Sequence, residues 1–325
     1  MVVVFSFRRA MEKLNEIHSG KDALNSANSK ILFSLQNSTM QTQLNPANYH
    51  SVAREFLRYH DISPSPSADL ALLVQVLQAF MHIPYENLSK IIKFNRFHLD
   101  VASLRMPDEV WDDFRRYRLG GTCFSLTFFL HSILDYLGYT CYPVMARMKA
   151  GPNHHCAMVV VHGEEHYLAD PGYALDIPMP FLHERQKRFR SAHAGIEIHP
   201  GERPAHYHLY TFNREQFQWR YEFADVPTPM DEFLQHWLAS FTWNGMHGLC
   251  LTKIQKDSLI FVHNHFMRET RLQGKKNYNL KSNREQVVNE VFGIPPQIVR
   301  AAQEALEANL QWERENGLFK PKARE

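Results

Sequence analysis

The sequence predicts an α+β protein built in three parts, and three observations carry that prediction. Apolar residues recur at helical spacing from Asn48 to Leu137. The period changes to two from Tyr139 to about residue 225. Beyond Pro229, helix and strand signals alternate. A chain of 325 residues can bury a substantial core and divide into lobes. The expected parts are an N-terminal extension over 1–45, a helical domain over 46–138, an antiparallel sheet or β-barrel domain over 139–228, and a C-terminal α/β domain over 229–325.

The extension splits in two. Phe5 to Ile17 fits a short amphipathic helix, whereas 18–45 is rich in Ser, Asn, Gln and Thr without periodicity, a linker-like composition expected to be disordered. Met40 lies just before the organised part, so an over-extended start is one reading of the first 39 residues. Val52, Phe56 and Leu57 then give one amphipathic face, and Ser63 to Ser67 reads as a turn. Asp69 can cap a helix carrying Leu72, Leu73, Val76, Leu77 and Phe80. Ile83-Pro-Tyr-Glu-Asn-Leu88 interrupts, and Asp108 to Tyr117 resumes with Val110, Trp111 and Phe114 on one side. In the second part, strands are expected around Tyr142 to Ala146, Cys156 to Val161, His166 to Ala169, Tyr207 to Phe212 and Trp219 to Phe223. In the third, a helix begins at Pro229, strands fall at Ser258 to Val262 and Glu269 to Arg271, and helices at Arg284 to Phe292 and Pro296 to Trp312. The last thirteen residues are highly charged and expected to be solvated.

Composition excludes several classes. There are 36 basic and 34 acidic residues, for a net charge of +2, so no broad field for nucleic acid or membrane is implied. The hydrophobic and charged fractions, 44% and 22%, are those of an ordinary globular protein. No apolar run approaches ~18 residues. The apolar start from Met1 to Phe7 is followed, not preceded, by Arg8 and Arg9, which makes a poor secretory signal. Cys123, Cys141, Cys156 and Cys250 show no CxxC or disulfide-dense spacing, so the expected setting is reducing and cytoplasmic. The 19 histidines are scattered without ligand spacing, and no metal site is expected.

The stretch Arg118-Leu-Gly-Gly-Thr-Cys-Phe-Ser-Leu-Thr-Phe-Phe-Leu130 stands out. Gly120 and Gly121 break the preceding pattern. Cys123 follows, and then Leu126, Phe129, Leu130, Ile133, Leu134 and Leu137 recur at helical spacing up to Gly138. Cys123 is therefore expected in the first turn of a buried helix, where free N–H groups and the helix dipole favour a thiolate. The residues leave two readings open: a nucleophile, or one more buried cysteine.

A second segment bears on that choice. His155 to Val161, then His162-Gly-Glu-Glu165, then His166 to Asp170 reads as a hairpin turning at Gly163. If Val161 pairs with Glu164, His155 stands opposite Asp170, with Cβ atoms ~5 Å apart. Shifting the turn by a residue or two changes the partner and leaves the two close. Asp170 could fix the tautomer of His155 and stabilise its imidazolium, while the other ring nitrogen takes a thiol proton. A cross-strand polar pair at the sheet surface is the alternative. His154 is a rival base that alternation sends to the opposite face, and Cys156 is expected to point away into the core. Cys141 and Cys250 carry no signal beyond packing.

These motifs resemble the arylamine N-acetyltransferase family: Gly-Gly-x-Cys-Phe, a His at a strand start, and Asp-x-Gly-Tyr fifteen residues after that His. Ile83 to Leu88, Pro227 to Phe241 and Leu280 to Ile294 are similar to further segments of that family, in the same order, so the resemblance spans roughly 48–295. It implies a helical domain, a β-barrel domain and an α/β lid around a papain-like and transglutaminase-like core. The implied triad is Cys123, His155 and Asp170. The implied reaction is ping-pong acyl transfer from acetyl-CoA, a co-substrate rather than a resident cofactor, to an arylamine or hydrazine. The acyl-CoA side is expected at Gly172 and Tyr173 and a substrate pocket at Phe124. Partners are expected to be small molecules, with no nucleic acid and no membrane.

The sequence departs from the family pattern at named positions. Leu119 stands where the family usually has Arg, which leaves open whether Arg118 takes over, for instance as a partner for Glu86. Ser125 and Thr127 replace the common Glu and Asn. Pro171 and Ala174 alter the loop after Asp170, and His155 follows Cys123 by 32 positions, a little fewer than in the family. These changes motivate two alternatives: an amide synthase or longer-chain acyltransferase on the same triad, and a catalytically silent binding relative. A peptidase or transglutaminase fits less well, because those families lack the third-domain segments.

Overall fold

The computed structural model describes residues 44–65, 67–182, 187–190, 194–213 and 216–319. The expected helix over Phe5 to Ile17, most of the polar linker and Met40 lie outside the described residues. Leu44, at the linker's expected end, is already part of the core.

The first part is helical: α1 (His50–Tyr59), α2 (Leu70–Phe80), α3 (Leu88–Phe97), α4 (Pro107–Tyr117) and α5 (Cys123–Tyr136). Local chemistry sets their ends. Asp69 Oδ1 accepts from Leu72 N at 2.8 Å and starts α2, as its position predicts. α4 opens on Pro107 with Asp108 and Glu109 in its first turn and Arg115 and Arg116 in its last, matching the helix dipole at both ends. Arg118, with φ 58°, closes α4 in the left-handed region. α3 was hidden in the sequence by the interruption at Ile83 to Leu88; it buries Leu88, Ile91 and Phe94.

The second part holds β2 (Thr140–Met148), β3 (Gly151–His162), β4 (Glu165–Ala169), β5 (Met179–Pro180), β6 (Lys187–Arg190), β7 (Gly195–Pro200), β8 (His206–Phe212) and β9 (Phe217–Ala224). They form one antiparallel sheet in the order β5-β4-β3-β2-β9-β8-β7-β6, a half-barrel with β5 and β6 as its edges. Its inner face packs Val144, Ala157, Val159, Leu209, Tyr221 and Phe223. A second antiparallel sheet, β1-β10-β11-β12-β13, joins β1 (Tyr85–Glu86) to β10 (Cys250–Gln255), β11 (Ser258–His263), β12 (Phe266–Arg271) and β13 (Gly274–Asn279). A strand from the helical part thus edges the sheet of the last part. α6 (Met230–Ala239), α7 (Arg284–Phe292) and α8 (Pro296–Glu315) complete the chain.

α5 is the central element. Leu126, Phe129, Leu130, Ile133 and Leu134 face one apolar cluster with α1, α2 and α4. Phe124 and Phe128 face another with α3, α6 and α8. A helix that is apolar all round is an interior helix, and its N-terminus is therefore held between the lobes. The charged C-terminal end departs from expectation at Glu313, which is buried and bonded to His247 Nε2 at 2.8 Å. Among the described residues, no helix is long and apolar enough to cross a membrane.

Candidate active site

The two glycines before Cys123 are required by space. A Cβ on Gly120 would lie 1.9 Å from Pro84 O, and one on Gly121 would lie 2.2 Å from Ser125 Oγ. Gly121 pairs with Tyr85 in a parallel bridge, and Glu86 N donates to Gly121 O at 2.9 Å. This pins the start of α5 against β1. Glu86 is fully buried and accepts from Ser89 N at 2.9 Å, from Ser89 Oγ, and from Gly120 N at 3.2 Å. Arg118 is not its partner. That side chain donates to Tyr59 Oη at 3.3 Å on the surface, because the left-handed backbone at 118 turns it outward. Arg105 serves the glycine stretch instead: Nη2 donates to Gly120 O at 3.1 Å, and Nη1 to Asp113 at 2.8 Å and Glu109 at 3.1 Å. Nothing in the spacing of the sequence marked Arg105.

Cys123, His155 and Asp170 come together, buried to 6%, 4% and 0% exposure. The hairpin delivers the pair, with a shifted register. His162, not Val161, is the last paired residue before the turn; it pairs with Glu165, and Gly163 turns with φ +64°. The ladder ends at Met158 with Ala169, so continuing it would place Asp170 opposite Ala157, a diagonal neighbour of His155 on the same face. The chain then turns, with Leu175 N donating to Asp170 O at 3.0 Å. Asp170 Oδ2 meets His155 Nε2 at 2.7 Å. Two further donors hold the carboxylate: Tyr221 Oη at 2.6 Å and Tyr173 N at 3.0 Å. Tyr221 comes from β9, fifty-one residues away in sequence, which is why no local pattern disclosed it.

With Nε2 engaged, Nδ1 of His155 is left for the thiol, and each group shifts the other's acidity. Burial alone would push His155 down, but the Asp170 charge and hydrogen bond, with Cys123, hold it up at about 10. The Cys123 thiol is drawn well below its ordinary value. Its hydrogen bond with Cys156 is the largest cause; burial opposes, and His155 and the Lys90 charge assist. Both shifts favour the thiolate–imidazolium form of the pair. Cys156 does not point away from the site as alternation suggested. Its Sγ donates to Thr127 Oγ1 on α5 at 3.6 Å, and it packs in the same buried cluster as Cys123.

The thiol opens into a cleft of about 480 Å³ between the half-barrel and the second sheet. Gly172 and Tyr173 line it. A Cβ on Gly172 would lie 2.7 Å from His155 Cε1 and 3.2 Å from Cys123 Cβ, so the backbone there must pass close to both. The Tyr173 ring meets His155 edge-on at 5.1 Å. Phe124 does not line the cleft. It is fully buried, edge-on to Phe233 at 5.2 Å and stacked on Trp237, because the second residue of an interior helix points away from its N-terminal mouth. His154 also lines the cleft, stacked on Trp243 at 4.3 Å and held on Pro152 O. Cys250 lines it too, its thiol pushed up to about 12 by burial. Arg220, Arg268 and Lys275 bring three cations to the cleft, and no carboxylate stands among its described lining residues.

The N-acetyltransferase family model matches residues 69–299. The chain belongs to this family. It is thereby an enzyme, and the family's general reaction is acetyl transfer to arylamines. Solved structures of family members share the fold. The arylamine N-acetyltransferase of Mycobacterium abscessus aligns at TM-score 0.65 and 19% identity, over 78% of this chain and 94% of that one. That of Salmonella typhimurium aligns at 0.63 and 16%, over 78% and 98%. That of Bacillus cereus, described as having a unique Cys-His-Glu catalytic triad, aligns at 0.59 and 16%, over 75% and 98%. No curated protein sequence matches the chain significantly. The N-acetyltransferase fold expected from the motifs is therefore the fold observed.

Proposed function

We propose that this chain transfers an acyl group from acyl-CoA to an arylamine or hydrazine through an acyl-Cys123 intermediate. The observation that carries the proposal is the buried Cys123–His155–Asp170 relay, with its thiol at a helix N-terminus and at the mouth of a cleft. The Cys123 thiolate attacks the thioester carbonyl, and free first-turn N–H groups of α5 face the developing oxyanion. The C–S bond to CoA breaks, and the imidazolium of His155 gives its proton to the departing thiolate. CoA leaves before the amine enters, which makes the kinetics ping-pong. The amine nitrogen then attacks the acyl-thioester, His155 takes its proton, and the amide departs as the Cys123 thiolate is restored. Asp170 keeps the ring oriented and its charged form stable throughout. The carboxylate is Asp here, where the Bacillus cereus relative is described with Glu.

The three cations at the cleft favour an anionic donor such as the phosphates of CoA. The chain's three parts would then divide the work: the helical part supplies the thiol, the half-barrel the His and Asp, and the last part the facing wall. Incubation with a panel of acyl-CoAs and an arylamine tests the proposal. Intact mass should show an acylated enzyme without acceptor, and CoA release should resume on adding amine. Cys123→Ala should abolish both. Normal turnover by that variant would overturn the proposal.

A further inference from the structure

The relay uses one thiol, yet the site contains two. Cys156, on β3 beside His155, is fully buried and shares a packed cluster with Cys123, which lines the cleft. The two thiols are close enough for each to shift the other's acidity. Thr127, one helical turn beyond Cys123, fixes their relation: its Oγ1 donates to Cys156 O at 3.4 Å and accepts from Cys156 Sγ at 3.6 Å. Neither thiol is in a disulfide. A low-lying, cleft-exposed thiolate with a protonated thiol in contact behind it is the arrangement of an attacking and a resolving cysteine.

We propose that Cys123 and Cys156 form a peroxide-responsive modification site, in which a hydroperoxide oxidises the pair to an intramolecular disulfide. In the first step the Cys123 thiolate attacks the peroxide O–O bond. A C–S–OH sulfenic acid forms, and hydroxide leaves with the electron pair and takes the proton held on His155, becoming water. In the second, the Cys156 sulfur attacks the sulfenic sulfur, the S–S bond forms, and the S–O bond breaks. The thiol proton of Cys156 joins the departing hydroxyl as water. Overall, two thiols and one hydrogen peroxide give one disulfide and two waters, with the peroxide as the oxidant. The order follows from access. Peroxide entering the cleft meets Cys123, while Cys156 has no exposed surface. Burial keeps the Cys156 thiol protonated, and the Cys123 charge adds to that. Sulfenic acid formation removes that charge, so Cys156 becomes a better nucleophile only after its partner is oxidised. The site ties up the nucleophile reversibly and spares it the irreversible sulfinic and sulfonic acids.

The test uses the full chain. Wild-type protein is treated with hydrogen peroxide, denatured, alkylated with iodoacetamide and mapped without reductant. The expected result is a mass loss of ~2 Da before alkylation, a crosslinked Cys123–Cys156 peptide, and alkylation of Cys141 and Cys250 only. Dithiothreitol should restore four alkylatable thiols. In Cys156→Ser and Cys156→Ala the same dose should carry Cys123 to sulfinic acid, which dithiothreitol does not reverse. Wild-type Cys123 found as sulfinic acid with Cys156 alkylated, or crosslinked to Cys141 or Cys250, would overturn the proposal. So would variants that recover as fully as wild type. The wild-type map decides the matter even where a variant folds poorly, and it reads mass rather than acyl transfer, so its outcome is separate from that of the proposed reaction.

Discussion

Lys90 is a buried ammonium with no carboxylate among its hydrogen-bond partners. Its Nζ donates to Ser240 Oγ at 2.6 Å and Ser240 O at 3.1 Å and sits 4.4 Å from the centre of the Phe241 ring. Burial draws it from 10.5 down to about 8. At about 1.36 kcal/mol per decade, holding the charge at neutral pH costs the fold about 3 kcal/mol. Lys90→Met removes that cost and keeps the length and an aromatic contact. The lost hydrogen bonds to Ser240 return about 1–2 kcal/mol of it. The expected net change is a stabilisation of about 1–2 kcal/mol, or a Tm rise of about 2–4 °C per kcal/mol. The sign with pH is fixed by the direction of the shift. The cost is full below about 8, where Lys90 is charged in both states. It fades toward 10.5, where the unfolded lysine also loses its proton. Thermal unfolding of both proteins from neutral pH upward should therefore show the variant's advantage shrinking. The same charge favours the Cys123 thiolate, so the variant should also react more slowly with iodoacetamide at mildly acid pH. A variant less stable than its parent at neutral pH, or an advantage that grows with pH, refutes the argument.

Three other outcomes follow from the geometry. At about pH 6, iodoacetamide should label Cys123 ahead of the rest, because it alone is shifted down. Burial pushes Cys141 and Cys250 to about 12 and raises Cys156; mass mapping of partly labelled protein checks this, and uniform labelling would contradict it. Tyr221→Phe removes a 2.6 Å donor from the buried Asp170 carboxylate and should cost about 1.5–3 kcal/mol in chemical denaturation. Gly120→Ala should destabilise by more than ~3 kcal/mol because its Cβ would strike Pro84 O, whereas Gly245→Ala, with open space around it, should stay within ~0.5 kcal/mol.

What could be read from sequence was local. The cap at Asp69, the α5 start at Cys123 and the hairpin at Gly163 are each set by residues within one turn of one another, and all appear where the pattern put them. The turn sits one residue later, which shifts every pairing partner by two, yet His155 and Asp170 still met, because both remain on the same face and the diagonal lies within side-chain reach. Long-range partners were invisible. Tyr221 reaches the site from a strand whose periodicity says only that it is half-buried, and Arg105 from the loop before α4. Cys156 is core, as expected. Alternation placed it correctly on the face opposite His155. The inference that this face leads away from the site failed because α5 packs on that face, with Thr127 against Cys156 and Cys123 one turn earlier. The N-terminus of α5 therefore touches side chains from both faces of β3.

Four of the departures from the family pattern, at Leu119, Ser125, Thr127 and Ala174, are accommodated in the structure. Leu119 is 4% exposed and joins an apolar cluster with Phe124 and Ile294. An arginine there would bury a charge, and Arg105 already meets the Gly120 carbonyl that follows. Ser125 Oγ donates to Thr122 O at 3.1 Å, so the hydroxyl bonds within the first turn and leaves the cleft mouth clear. Thr127 is committed to Cys156 on both of its hydrogen-bonding sides. Ala174 takes φ +55° in the turn that returns Leu175 N to Asp170 O, a conformation costing a non-glycine residue about 1 kcal/mol or more. That turn holds Asp170 where its carboxylate meets His155 Nε2 at 2.7 Å.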